Sequence, residues 1–205
     1  MYFACALLLL YVVSSSSSKP DDTGHGSPRF CRSRDCPKYE LVKQYSTFEE
    51  RHYEASRWVS TDIGMESYSS AIMHGFWRLF HYISGKNAEG KKIPMTVPVL
   101  VHVLPDGKGL SPNITMSFFV PFAEEKPPTP NDTALYLTSL PVQTVYVKSF
   151  GGFAFKSDYI DKAKSLSEEL KALGKAFKED SFLTAGYDAP FMLINRHNEV
   201  WYIAE

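Results

Sequence analysis

The side chains best able to ligate a metal or a porphyrin iron in this 205-residue chain are six histidines, six methionines and three cysteines. His52 stands in FEERHYEASRWVST (48–61), and a neutral imidazole can coordinate iron. Strand alternation groups it with Phe48 and Glu50, and with no second ligand beside it the plainer reading is a strand histidine bonded to its neighbours. Met73, Trp77 and His81 recur at i, i+4 and i+8, which lines them up on one helical flank. Such a line is either a partly covered flank or a surface that meets a ligand or partner. His74 and His81 are seven residues apart, about 10 Å along a helix, too far for one ion at ~2 Å bonds. His25 and His102 have no partner at ligand spacing.

Cys31 and Cys36 close a short loop in FCRSRDCPKY and are expected to form a disulfide; a redox pair would have two intervening residues, not four. No G-x-S-x-G, P-loop or H-E-x-x-H is present, and Gly151-Gly152 follows a strand without opening a phosphate-binding turn. Glu199 in RHNEVW reads as a structural hydrogen-bond acceptor. The expectation is a binding protein and not an enzyme.

Elements must position these groups. Aromatic and β-branched residues predict strands over 39–45, 48–53 and 57–63. The spacing of Tyr68, Ile72, Phe76, Leu79 and Ile83 predicts a helix over 68–84, closed by Gly85. Strands are expected over 93–104 and 114–122, the first made an edge or bulged strand by Pro94 and Pro98. After the proline-rich EEKPPTPND the pattern restarts. Strands are expected over 135–140 and 143–150, then a helix over 158–177 with Leu166, Leu170, Leu173 and Phe177 inward, then strands over 182–186 and 200–204. Two β-β-α-β-β repeats, eight strands and two helices, predict an α+β domain: a distorted β-barrel with the helices packed outside.

Composition limits the partners. A net charge of −1 removes the broad attraction a nucleic-acid binder needs. The run MYFACALLLLYVVSSSSS reads as a secretory signal peptide over 1–18, too short to span a bilayer comfortably, so no stable membrane insertion is expected after its cleavage. Residues 19–35, rich in Ser, Gly, Pro and Asp, read as a flexible leader before a domain at 36–205. Sequons at Asn113 and Asn131 suit glycosylation of an extracellular chain.

Four blocks, FEERHYEASRWVST, SGKNAEGKKIPMTVPVLVHVLP, VQTVYVKSFGGF and TAGYDAPFMLINRHNEVWYIAE, together resemble the SOUL or haem-binding-protein family over residues 39–205. The likeness is closer to its haem-binding protein 2 branch than to its haem-binding protein 1 branch. The resemblance implies a barrel akin to bacterial effector-binding domains and non-covalent binding of haem or a related tetrapyrrole. It nominates His52 as an axial ligand by the pattern of one branch. By the pattern of the other it implies a porphyrin against the first helix and the loop before the last strand. The basic positions of that second pattern fall on Met73, His81 and Met192 here, so propionate partners would have to come from Arg78, Arg196 or His197. Met73, His81 and Met192 then offer an alternative coordinating set beside Trp77. The function expected is a secreted tetrapyrrole carrier or scavenger; the alternative is a secreted interaction or signalling module of the same fold that binds no haem.

Overall fold

The computed structural model describes residues 27–64, 67–105 and 110–205. The expected signal peptide and the first part of the leader lie outside these residues. Nine antiparallel strands form one curled sheet: β1 (Tyr39–Gln44), β2 (Glu49–Tyr53), β3 (Ser56–Ile63), β4 (Val99–Pro105), β5 (Leu110–Phe119), β6 (Leu135–Leu140), β7 (Gln143–Gly151), β8 (Phe182–Gly186) and β9 (His197–Ile203). Helices α1 (Tyr68–Ile83) and α2 (Lys156–Ala172) complete it as an α+β half-barrel. The two repeats are present. Two four-strand repeats account for eight strands; the ninth is the strand expected over 39–45, β1, which hairpins onto β2 ahead of the first repeat.

The sheet order is β1-β2-β7-β9-β8-β4-β5-β3-β6. Each repeat therefore gives its first strand to the other: β2 pairs with β7, and β6 pairs with β3. The seam is the β4–β8 pair, with Val101 opposite Thr184. This corrects the edge alternative of the edge or bulged strand expected at 93–104; the strand's register shift falls between Val103 and Pro105, away from Pro94 and Pro98. Pro94 and Pro98 precede the strand, which begins at Val99 and is bonded on both sides, a position that prolines lacking an N–H could not occupy.

Alternation sorts the side chains between two cores. Val59, Ile63, Val101, Val103, Ile114, Met116, Phe118, Val200 and Tyr202 face the helices. Trp58, Leu100, Phe119, Val145, Val147, Leu183 and Trp201 face the opposite way. That second face is covered by residues 27–38, where the Cys31–Cys36 disulfide forms as expected and both cysteines are buried. Phe30 stacks on His197 at 4.1 Å, and Arg32 pairs with Asp188. The described part of the expected flexible leader is thus a docked arm: an aromatic ring and an ion pair hold it where composition alone suggested loose chain.

The second helix ends earlier than its composition suggests. Gly174 adopts φ +65°, and the N–H groups of Gly174 and Lys175 bond back to the carbonyls of Lys171 and Leu170. This left-handed glycine cap terminates the helix at Ala172. Leu166, Leu170 and Phe177 are buried as expected, but Leu173, at the cap, is 53% exposed.

Candidate functional site

Helix α1 starts where the Ser67 hydroxyl accepts the Ser70 amide N–H, an ordinary N-cap. Its buried face is Tyr68, Ala71, Gly75, Leu79, Tyr82 and Ile83, rotated slightly from the expected stripe so that Ile72 and Phe76 become flanks. The small residues explain the rotation. A Cβ on Gly75 would lie 3.2 Å from Met116 Sδ and 3.4 Å from Ile63 Cγ1, so the helix sits close on β3 and β5.

This packing leaves one flank outward. Met73 is 61% and Trp77 51% exposed, and His81 is exposed beside them. The Trp77 indole lies beside Phe80 and His81, at 5.6 and 6.2 Å from their rings. Eight residues of helix separate Met73 from His81, about 12 Å along the axis, so the two cannot ligate one iron. At the His81 end a cleft of about 320 Å³ is lined by Arg78, His81, Tyr82, Lys86, Asn131, Asp132 and Leu135. Arg78 donates to Thr61 Oγ1 at 2.9 Å and faces Asp132 at 3.6 Å.

The β8–β9 loop carries a second apolar surface. Phe191, Leu193 and Ile194 are 72–81% exposed, whereas Met192 is half-buried. Arg196 Nη1 donates to the carbonyls of Ala189 and Met192, both at 2.8 Å, and its guanidinium lies 4.6 Å from the Phe153 ring. Its Nε is buried without a partner. Arg196 is therefore occupied in shaping the loop.

His52 is exposed on β2, its Nδ1 3.1 Å from Thr144 Oγ1. Strand β2 lies five positions from β5 in the sheet, about 24 Å along it. His52 and the α1 flank consequently cannot belong to one site. The cleft of about 330 Å³ lined by Asp62, Gly64, His102, Leu104 and Asn113 contains neither.

The residues that sequence reasoning passed over lie on the opposite parity of the same strand. Arg51 is buried, and its Nη1 donates to Glu199 Oε1 and to the Tyr53 hydroxyl, each at 3.0 Å. Glu199 is fully buried and also accepts from Tyr187 at 2.8 Å and Trp201 Nε1 at 2.7 Å, with His197 Nε2 at 2.7 Å. The Arg51 guanidinium is covered by the Tyr39 ring at 4.4 Å and the Phe30 ring at 5.6 Å. Burial pushes the Glu199 carboxyl up, but Arg51 first, then His197 and Tyr187, hold it down to about 2. Burial raises Tyr53 and Tyr187 far above the usual phenol range. With its lone pairs taken up, Glu199 joins β9 to β2 and is not placed to act as a base, in keeping with the acceptor role expected for it. A signal existed: Arg51 and Glu199 each alternate with aromatic residues on strands, Tyr53 on one and His197 and Trp201 on the other. Of the expected propionate partners, Arg196 and His197 are thus committed within the protein, and Arg78 alone borders the α1 flank.

The comparisons agree with this architecture. The C-terminal domain of EcmrR superposes with a TM-score of 0.58 over 82% of this chain and 98% of that one at 11% identity, a likeness of fold alone. Heme-binding protein 2 of Mus musculus is 38% identical over 166 residues, covering 80% of this chain and 81% of that protein. Heme-binding protein 1 of Xenopus laevis is 32% identical over 160 residues, covering 76% and 83%. The model of the SOUL heme-binding protein family matches residues 34–203. With that match spanning nearly the whole described fold, the chain belongs to the SOUL heme-binding protein family.

Proposed function

We propose that this protein binds haem or a related tetrapyrrole reversibly on the exposed flank of α1 and acts outside the cell as a carrier or scavenger. The observation that carries the reading is the line of Met73, Trp77 and His81, left in solvent on a helix whose other side is packed on the sheet. An exposed thioether and indole in one line form the apolar surface a flat macrocycle requires. The residues fit the group: Met73 or His81, but not both, would ligate the iron, Trp77 would offer a ring to lie against, and Arg78 and Lys86 would supply cations for carboxylates. When bound, an iron porphyrin brings the iron's redox and ligand-exchange chemistry; the chain's own residues bind it and orient it. The names carried by the relatives, heme-binding proteins 1 and 2, support binding over catalysis. The extracellular setting is supported by the apolar amino terminus, the sequons and the Cys31–Cys36 bridge, which suits an oxidising compartment.

A second reading has its own observation: Phe191, Leu193 and Ile194 stand out from the β8–β9 loop as a protein-binding surface would, which favours an interaction module. Haemin titration of the purified protein, followed at the Soret band, decides between them. The α1 reading expects a saturable shift altered by Met73→Ala or His81→Ala and unchanged by His52→Ala. A shift lost only in His52→Ala moves the site to β2. The absence of any saturable shift in folded protein leaves the interaction module.

A further inference from the structure

We propose that an N-linked oligosaccharide at Asn131 gates the α1 flank, so that glycosylation sets how fast a tetrapyrrole reaches Trp77 and His81; this rests on the reading above. The inference comes from where the proline-rich hinge is held. The Tyr82 hydroxyl donates to Pro128 O at 2.7 Å, and the Ala88 amide to Thr129 O at 2.9 Å. Asn87 forms a bridge with Pro130, and Asp132 faces Arg78. The hinge is thereby tied to the last turn of α1, and the attachment point of a glycan on Asn131 is fixed. Asn131 itself lines the cleft together with Arg78, His81 and Lys86, and the His81 ring is 6.2 Å from Trp77. A branched, hydrated sugar rooted there occupies space directly over that end of the ligand face.

The two sequons differ. Asn131, Asp132 and Thr133 are all exposed in a turn, outside the sheet. Asn113 is exposed too but lies in β5, between β3 and β4, and the hydroxyl of its Thr115 is engaged with Asp62 Oδ1 at 2.7 Å. The modification joins Asn131 Nδ2 to the anomeric carbon of an oligosaccharide carried on a lipid diphosphate. The nitrogen loses one proton, and the lipid diphosphate leaves with the electrons of the broken C–O bond.

The test uses the full chain with its own amino terminus, secreted from animal cells, beside Thr133→Ala, which removes the sequon but keeps Asn131, and Asn113→Gln. Intact mass and glycopeptide mapping give occupancy; stopped-flow mixing with haemin gives the association rate. The expected result is a glycan on Asn131, association about threefold or more faster in Thr133→Ala than in the parent, and no change in Asn113→Gln. An unmodified Asn131, or equal rates with the glycan present, overturns the gate while leaving the tetrapyrrole reading intact. Failure of Thr133→Ala to bind haemin at all overturns that reading and the gate with it.

Discussion

Replacing Arg51 by Met removes the cation that faces Glu199 while keeping an apolar stem of similar length. Glu199 is then a buried carboxylate held by Tyr187, Trp201 and His197, with the Ser149 hydroxyl at 3.4 Å. Breaking one side of a buried ion pair costs about 3–5 kcal/mol. The titration of Glu199 gives a second route to the magnitude. Its pKa falls from 4.5 to about 2 on folding, and at 1.36 kcal/mol per unit that corresponds to about 3 kcal/mol. A depressed carboxylate stabilises the fold above its unfolded pKa, so this contribution is full above pH 4.5 and is lost as pH falls toward 2. Without Arg51 burial dominates and raises the carboxyl above its unfolded value. The variant's deficit is then largest near pH 7 and shrinks as acid protonates Glu199. Urea unfolding of parent and Arg51→Met at pH 7 and pH 4.5, followed by Trp fluorescence, measures it. A deficit of about 3–5 kcal/mol at pH 7, a smaller one at pH 4.5, and partial rescue in Arg51→Met/Glu199→Gln are expected. A deficit below about 1 kcal/mol at pH 7, or one independent of pH, would refute the argument that these two charges depend on each other.

Gly75→Val should destabilise the fold by about 1–3 kcal/mol through overpacking against Met116 and Ile63, read as a lower urea midpoint; an unchanged midpoint would mean that α1 is not seated as closely as described. Cys31→Ser/Cys36→Ser opens a short loop whose closure is worth about 2 kcal/mol, and limited proteolysis should then cut within the arm at residues 27–38 while the sheet survives. Trp58 and Trp201 are 1% and 2% exposed against 51% for Trp77, so acrylamide should quench the parent readily and Trp77→Phe hardly at all. Quenching equally strong in Trp77→Phe would show the buried indoles to be open to solvent.

Much of the local structure was legible in the chain. The i, i+4 periodicity marks α1 because side chains on one helix face are set by the backbone's own period. The five-residue separation of Cys31 and Cys36 points to their bridge, and the order of elements shows the repeat. The four sequence blocks led to the family and through it to the half-barrel. The stripe of Met73, Trp77 and His81 is likewise a local pattern, and only its exposure needed tertiary contacts.

Tertiary structure decided the rest, and the reason is sequence distance. Which face of β2 is buried depends on its pairing with β7, about ninety residues on, where Arg51 opposes Val145; alternation by itself treats His52 and Arg51 alike. Arg51 and Glu199 are 148 residues apart and meet only because each repeat lends a strand to the other. Neither the docking of the arm on His197 nor the clamping of the hinge on the end of α1 is implied by Ser-, Gly- or Pro-rich composition, which describes backbone freedom and not the rings and carbonyls that remove it. The sequence by itself determined most of the elements, the disulfide and the line of Met73, Trp77 and His81, because those follow from short-range periodicity and spacing. The fold alone determined that His52 and that flank are separate places, that Arg51 and Glu199 share one, and that Asn131 stands beside His81, because strand order and long-range packing place them.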